Sequence, residues 1–234
     1  MERYEKVGKI LKYIGQVVIL GVTTVCLCLA FKNSYYSFIY VDGNSMSSTL
    51  KDGEFGMVDK HGFAINSAKR FDIAVTYYPN QYDGLHYDYC YLDAYGHEIP
   101  TSCNDTMHKV ILSSKATYKV KRIIAFPGES FTLLTDCVKV KTKNSSEWKE
   151  YKLPYNHGSS TAKVNTDPIT LGENEYWMIG DNWAESTDSA ALNQPIYRKN
   201  IQGILVGIEG TCKVDSTGKV TEKTYYSKVK YVKR

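Results

Sequence analysis

The apolar and polar positions divide this chain into two unlike parts. From Ile14 to Phe31 the sequence IGQVVILGVTTVCLCLAF carries no charge. At ~1.5 Å per residue in a helix, this run is about long enough to cross a bilayer's hydrocarbon core. Residues 1–13 before it are short and basic, with Arg3, Lys6, Lys9 and Lys12 against Glu2 and Glu5. That bias predicts an uncleaved anchor spanning 14–31 with its N-terminus in the cytoplasm. The rival, a removed signal peptide, fits less well: the apolar run is long for one, and no small-x-small site precedes Phe31. Tyr35, Tyr36, Phe38 and Tyr40 follow, and are read as an aromatic belt at headgroup level.

Beyond the anchor the period changes from helical to alternating. Phe55–Val58, Phe71–Tyr78, Thr117–Ala125, Phe131–Leu134, Cys137–Val140, Tyr176–Ile179 and Gln202–Ile208 are β-branched and aromatic runs, bounded by Gly, Pro and Asn. They predict strands, with Phe131–Leu134 and Cys137–Val140 paired as a hairpin. No amphipathic helix of ten or more residues is evident after the anchor. The fold class expected is therefore mainly β, an all-β domain over residues 32–234 behind one N-terminal transmembrane helix. Residues 82–114 break the strand pattern and read as an insertion. Residues 141–167 are polar and read as a surface ribbon, and the basic tail from Thr224 onward reads as solvated rather than bound to headgroups.

Composition narrows the classes. The 234 residues include 43% hydrophobic and 23% charged, an ordinary globular balance, and the formal charge of +4 gives no concentrated basic face, so no nucleic-acid partner is expected. Of six cysteines, Cys26 and Cys28 fall in the anchor. Cys90, Cys103, Cys137 and Cys212 lie outside it, where three pairings or none remain open. His86, Cys90, His97, Cys103 and His108 share one region but lack zinc spacing, so no metal or cofactor is expected.

Three stretches carry candidate chemistry. The first is Gly43-Asn-Ser45-Met46 with Thr49-Leu50, a sharp turn just past the anchor. The second is Lys121-Arg122-Ile-Ile-Ala-Phe-Pro127-Gly128-Glu129. The third is Gly180-Asp181-Asn182, followed by Ser186-Thr-Asp188-Ser189. A serine hydroxyl is a weak nucleophile until a base takes its proton. A lysine does so only when uncharged, which requires burial in an apolar site. Lys121 lies in a strand expected to be largely buried, with Lys119 and Ile123 on its face and Arg122 on the other.

In this order behind an anchor, the three stretches resemble bacterial type I signal peptidases, the Ser–Lys membrane proteases that remove signal peptides from exported proteins. The weaker stretch Phe71-Asp-Ile-Ala-Val75 matches that family's Gly-Asp-Ile-Val-Val except at its first residue. The resemblance implies Ser45 as nucleophile, with its own backbone N–H as an oxyanion donor, and Lys121 as general base. It implies that Ser186 hydrogen-bonds and orients the lysine, that Asp188 and Arg122 are structural partners nearby, and that Met46 shapes a pocket for small side chains. Gly43 stands where many members carry a serine donor. Implied partners are secretory preproteins and membrane lipids, with the peptidase domain outside the membrane.

Several residues depart from that pattern. Ser48 replaces a proline, Glu54 and Glu129 replace aspartates, and Ala190 replaces an arginine that would pair with a carboxylate, so Asp188 is expected to lack its usual partner. These departures motivate the alternative of a signal-peptidase-like assembly or chaperone factor for surface proteins or pili. Ser48-Thr-Leu-Lys51 matches the S-x-x-K of penicillin-binding enzymes, but the companion Ser-Asp-Asn and Lys-Thr-Gly are missing. A self-cleaving repressor shares the dyad but would carry a DNA-binding domain instead of an anchor.

Overall fold

A computed structural model describes residues 2–77, 89–92, 98–99, 109–112, 118–216 and 219–232. The chain divides into two compact units, Met1–Ser37 and Phe38–Arg234. The first is essentially one helix, α1 (Glu2–Tyr35). Its stretch Lys6–Ala30 has a mean hydropathy of 2.1 and is long and apolar enough to cross a membrane. The hydroxyls of Thr23 and Thr24 donate back to the carbonyls of Ile19 and Leu20, which satisfies these polar groups within the helix itself. The helix runs past the expected segment 14–31 at both ends. Of the aromatic run that follows, Tyr36–Tyr40 is strand β1.

The second unit is a β body. In chain order its elements are β2 (Glu54–Asp59), the short helix α2 (Gly62–Asn66), β3 (Ile73–Tyr77), β4 (Tyr89–Leu92), β5 (Glu98–Ile99), β6 (Lys109–Leu112) and β7 (Tyr118–Ala125). There follow β8 (Ser130–Leu133), β9 (Cys137–Lys141), β10 (Lys149–Lys152), β11 (Asn165–Thr170), β12 (Glu175–Ile179), the short helix α3 (Ser189–Leu192), β13 (Ile196–Tyr197), β14 (Ile201–Val214) and β15 (Val220–Tyr231). The main sheet runs β1-β2-β14-β3-β7-β12-β13, with β15 also on β14. A second sheet runs β10-β9-β8-β11, and within it β8 and β9 are the expected hairpin. The inserted region contributes a separate sheet, β5-β4-β6; the rest of it lies outside the described residues.

Alternation along the strands sorts the core onto two faces. On β7, Ile123 joins a cluster with Ala74, Met178 and Ile204, while Ile124 joins the opposite one with Phe131, Val138, Trp177 and Trp183. A third cluster gathers Val41, Met46, Leu50, Val58, Ile73, Val75, Leu205 and Ile208. Met46 and Leu50 belong to the Gly43–Leu50 turn, so burial in this cluster fixes the turn to the sheet.

Three sequence expectations are corrected here. The strand read as Phe71–Tyr78 begins at Ile73, because Phe71 sits at φ 72, the left-handed region that a Cβ disfavours. This is the position where the resembled family has glycine, and packing of the buried Phe71 ring outweighs the backbone cost here. The strand read as Gln202–Ile208 extends to Val214, and the tail read as solvated pairs along it as β15, with its side chains still largely exposed. Lys230 Nζ donates to the Thr49 carbonyl (3.0 Å) and reaches the buried Glu54 carboxylate (3.3 Å), which also accepts from the Tyr226 hydroxyl. The ribbon of residues 141–167 is largely exposed, including all of β10, and it sends Leu153 and Lys163 into the interior.

Candidate active site

Ser45 sits in the turn between β1 and β2. Gly43 opens that turn at φ +89, an angle suited to glycine, and its N–H donates to the Asp52 carboxylate (2.8 Å). Reverse-turn bonds from Ser47, Thr49 and Leu50 to Asn44 and Met46 carbonyls close the loop. The Ser45 carbonyl accepts from the Asn182 N–H (3.0 Å), and the Asn182 side chain donates to the Asn44 carbonyl and the Ser47 hydroxyl, both at 3.2 Å. The Gly180-Asp181-Asn182 turn thus clamps the serine loop from the far end of β12.

Gly180 has to be small for this clamp. A Cβ placed there would overlap the Ser186 hydroxyl and the Ser45 carbonyl oxygen. Asp181, fully buried, receives Arg122 in a two-pronged pair, Nε to Oδ1 at 2.7 Å and NH2 to Oδ2 at 2.5 Å, and the Thr49 hydroxyl donates to it as well. Arg122 also donates to the Phe71 carbonyl (2.6 Å) and lies over the Tyr155 ring (4.9 Å). Burial pushes the Tyr155 phenol pKa well up. One guanidinium therefore ties together β7, the serine loop, the Gly180–Asn182 turn and the start of β3.

Lys121 is adjacent on β7 and points to the opposite face. Its cross-strand neighbour is Ala74, and Ile123 and Met178 share its face. Only 2% of Lys121 is exposed, and its Nζ lies 2.7 Å from Ser45 Oγ. Burial among these apolar groups depresses its pKa from 10.5 to about 8; Asp188 and Asp181 oppose the fall, while Lys119 and Lys163 add to it. An amine with that pKa is in part uncharged at neutral pH, and an uncharged amine can accept a proton along the 2.7 Å line to Ser45 Oγ.

Asp188 is the hub of the third arm. Its Oδ1 accepts from the Ala190 and Ala191 N–H groups and so caps α3, and its Oδ2 accepts from the Gly180 N–H (3.0 Å). The expected loss of its cationic partner is corrected. Lys163, arriving from the connection between β10 and β11, places Nζ 2.9 Å from Asp188 Oδ1 and 2.7 Å from the Ser186 carbonyl. Both side chains are buried, at 3% and 0% exposed. Sequence reasoning missed Lys163 because it lies in a polar stretch; the only hint was that Ala190 leaves a carboxylate in want of a cation. Ser186 is close to the site, but its buried hydroxyl has no hydrogen-bond partner among the described residues, Lys121 included, so the expected bond to Lys121 is not formed. That hydroxyl is packed against Gly180 instead. Met46, next to the serine in the chain, is buried in the third core cluster with Leu50 and Ile73. Glu54 and Glu129 are engaged as well, Glu129 by a two-pronged pair with Arg70.

A turn-borne hydroxyl against a buried amine, on a β scaffold, is an arrangement suited to a serine hydrolase, and among the described residues it is an amine, not an imidazole, that contacts the hydroxyl. The family described as signal peptidase, peptidase S26, matches residues 14–208. Signal peptidase I V of Bacillus subtilis (strain 168) is 26% identical over 195 residues, covering 81% of this chain and 95% of that protein. Signal peptidase I P of Bacillus subtilis subsp. natto is 27% identical over 206 residues, covering 86% and 88%. A crystal structure of a signal peptidase I from Enterococcus faecalis V583 aligns at a TM-score of 0.33 and 17% identity, covering 59% of this chain and 97% of that one. The chain belongs to the signal peptidase family, peptidase S26, and is a serine endopeptidase of that family. The family match ends at residue 208, so β15 and most of its pairing with β14 lie beyond it.

Proposed function

We propose that this chain is a single-pass membrane endopeptidase that removes N-terminal signal peptides from exported preproteins, with Ser45 as nucleophile and Lys121 as general base. The observation that carries the reading is the 2.7 Å contact between Ser45 Oγ and a lysine nitrogen that is almost wholly buried. An assembly or chaperone role has no use for a desolvated amine against a hydroxyl.

In the first half of the reaction, the neutral Lys121 amine takes the Ser45 proton. Oγ then attacks the scissile carbonyl carbon, and the backbone N–H of Ser45 faces the oxygen that becomes negative. The C–N bond breaks as Lys121 returns its proton to the leaving amine, leaving the acyl group on Ser45. In the second half, Lys121 takes a proton from water, the hydroxide attacks the ester, and Ser45 regains its hydrogen. Arg122, Asp181 and Thr49 hold the serine loop and β7 in register, and Asn182 fixes the Ser45 carbonyl so that its N–H stays turned to the cleft.

The substrate would lie as an added strand. Lys119–Lys121 pair with β3 on one side, whereas β12 joins β7 only from Arg122 onward, so among the described residues the other backbone edge of these three has no strand partner. Met46, buried directly after the serine in the turn, would help restrict the −1 and −3 positions to small residues. The basic N-terminus favours a cytoplasmic start for α1, which would put the peptidase body on the outer side of the membrane. The test is purified chain and a Ser45→Ala control with a signal-peptide-bearing precursor in detergent micelles. Cleavage after a small-x-small site, present only with Ser45, is expected; equal processing by both proteins would remove the protease reading.

A further inference from the structure

We propose that Lys163 is a positioning residue of this site: its buried ammonium neutralises Asp188, so that the carboxylate does not claim Lys121 as its counter-ion and Lys121 remains free to serve Ser45. The inference rests on the Ser45–Lys121 reading and extends it to a residue in a connection that the sequence marks only as polar.

Asp188 is wholly buried and accepts bonds from three backbone N–H groups. A buried carboxylate needs a cation, and leaving one unpaired is strongly unfavourable. Two lysines are in reach of its field, Lys121 and Lys163. Lys163 is at 2.9 Å and also binds the Ser186 carbonyl, whereas the Lys121 nitrogen is committed to Ser45. The charged groups acting on Lys121 are Asp188 and Asp181, which favour its ammonium, and Lys119 and Lys163, which oppose it. Asp181 is already matched by Arg122. Asp188 is matched only by Lys163 among these groups, since Ala190, two residues on, offers no charge. Lys163 therefore acts twice on the base: it cancels the pull of Asp188, and its own charge disfavours a second ammonium nearby. Through the Ser186 carbonyl it also pins the segment between the Gly180 turn and α3.

The signs of the expected effects are distinct. Lys163→Met removes one repelling charge and exposes Lys121 to an unmatched carboxylate, so the Lys121 pKa rises. Unit charges several ångströms apart at an effective dielectric near 20 shift a pKa by on the order of one unit. Lys163→Arg keeps the charge and should keep the pKa. Lys163→Met combined with Asp188→Asn removes both charges, and because Asp188 has the larger influence on Lys121, the pKa should fall to the wild-type value or below it.

The experiment is kcat/KM for precursor cleavage by the full chain in detergent, from pH 6 to 10, for the wild type and these three variants, with Ser45→Ala as the blank. We expect the acid limb of Lys163→Met to move up by about one pH unit, with about tenfold lower activity at pH 7 and a largely recovered plateau at high pH. The arginine variant should overlay the wild type, and the double variant should lie at or below it. Acid limbs at one pH in all four proteins, or a double variant above the wild type, would overturn the proposal and leave Lys163 as a structural brace. If Lys163→Met does not fold, the position of the double variant decides alone. Cleavage by Ser45→Ala, or no acid limb in the wild type, would instead sink the dyad itself.

Discussion

Lys121→Met should make the protein more stable while abolishing its activity. The lysine's folded pKa of about 8 lies below its ordinary 10.5. Holding such a group in the fold costs about 1.36 kcal/mol per unit of depression, or about 3 kcal/mol in total. The penalty is fully present below about pH 8, shrinks as pH rises, and is gone above about 10.5, where the amine is neutral in both folded and unfolded chains. Methionine fills the same apolar slot beside Ala74, Ile123 and Met178 without charge. It gives up the 2.7 Å contact with Ser45, but that serine is only half-buried and its hydroxyl can turn to water, a loss of about 1 kcal/mol. The net expectation is a gain of roughly 2 kcal/mol at pH 7. Urea unfolding of the full chain in detergent, followed by the fluorescence of buried Trp177 and Trp183, measures it. A Lys121→Met variant no more stable than wild type at pH 7, or one whose gain is as large at pH 10.5, would refute the claim that burial is what tunes this lysine.

Other substitutions test the surrounding frame. Lys121→Arg should leave the body folded and precursor cleavage at background, since arginine does not release its proton; retained cleavage would exclude lysine as base. Arg122→Ala strands the buried Asp181 and should cost about 3–5 kcal/mol in the same unfolding assay. Gly180→Ala drives a methyl into the Ser186 hydroxyl and the Ser45 carbonyl; a loss of about 1–3 kcal/mol is expected, with a fall in kcat larger than the change in KM because the serine is displaced. At Phe71, where φ is 72, glycine should be tolerated better than alanine by roughly 1 kcal/mol, the reverse of the order within a strand.

Much of this architecture could be read in advance, and the failures have physical causes. Alternation gave β7, β12 and the β8–β9 hairpin nearly to the residue, because each has one or both faces buried. It failed on β14 beyond Ile208 and on β15, where strands at the edge of the body carry lysines and tyrosines on exposed faces and look like a tail. It also failed at Phe71, since a left-handed backbone under a large ring leaves no sign in composition. The chemistry-bearing turns were legible as motifs. Their cross-partners were not: nothing local says that Asp181 takes Arg122, or that the cation missing at Ala190 arrives as Lys163 from a polar connection. The expected Ser186–Lys121 bond fails for a similar reason, because tight packing at Gly180 turns on contacts across the chain.

If an uncharged, buried Lys121 takes the Ser45 proton, kcat/KM for precursor cleavage by the wild-type chain must follow the titration of that one amine. A single rise to half-maximum at about pH 8 is expected. A rate already at its plateau by pH 6.5, or one still climbing at pH 10 like an ordinary exposed lysine, would contradict it.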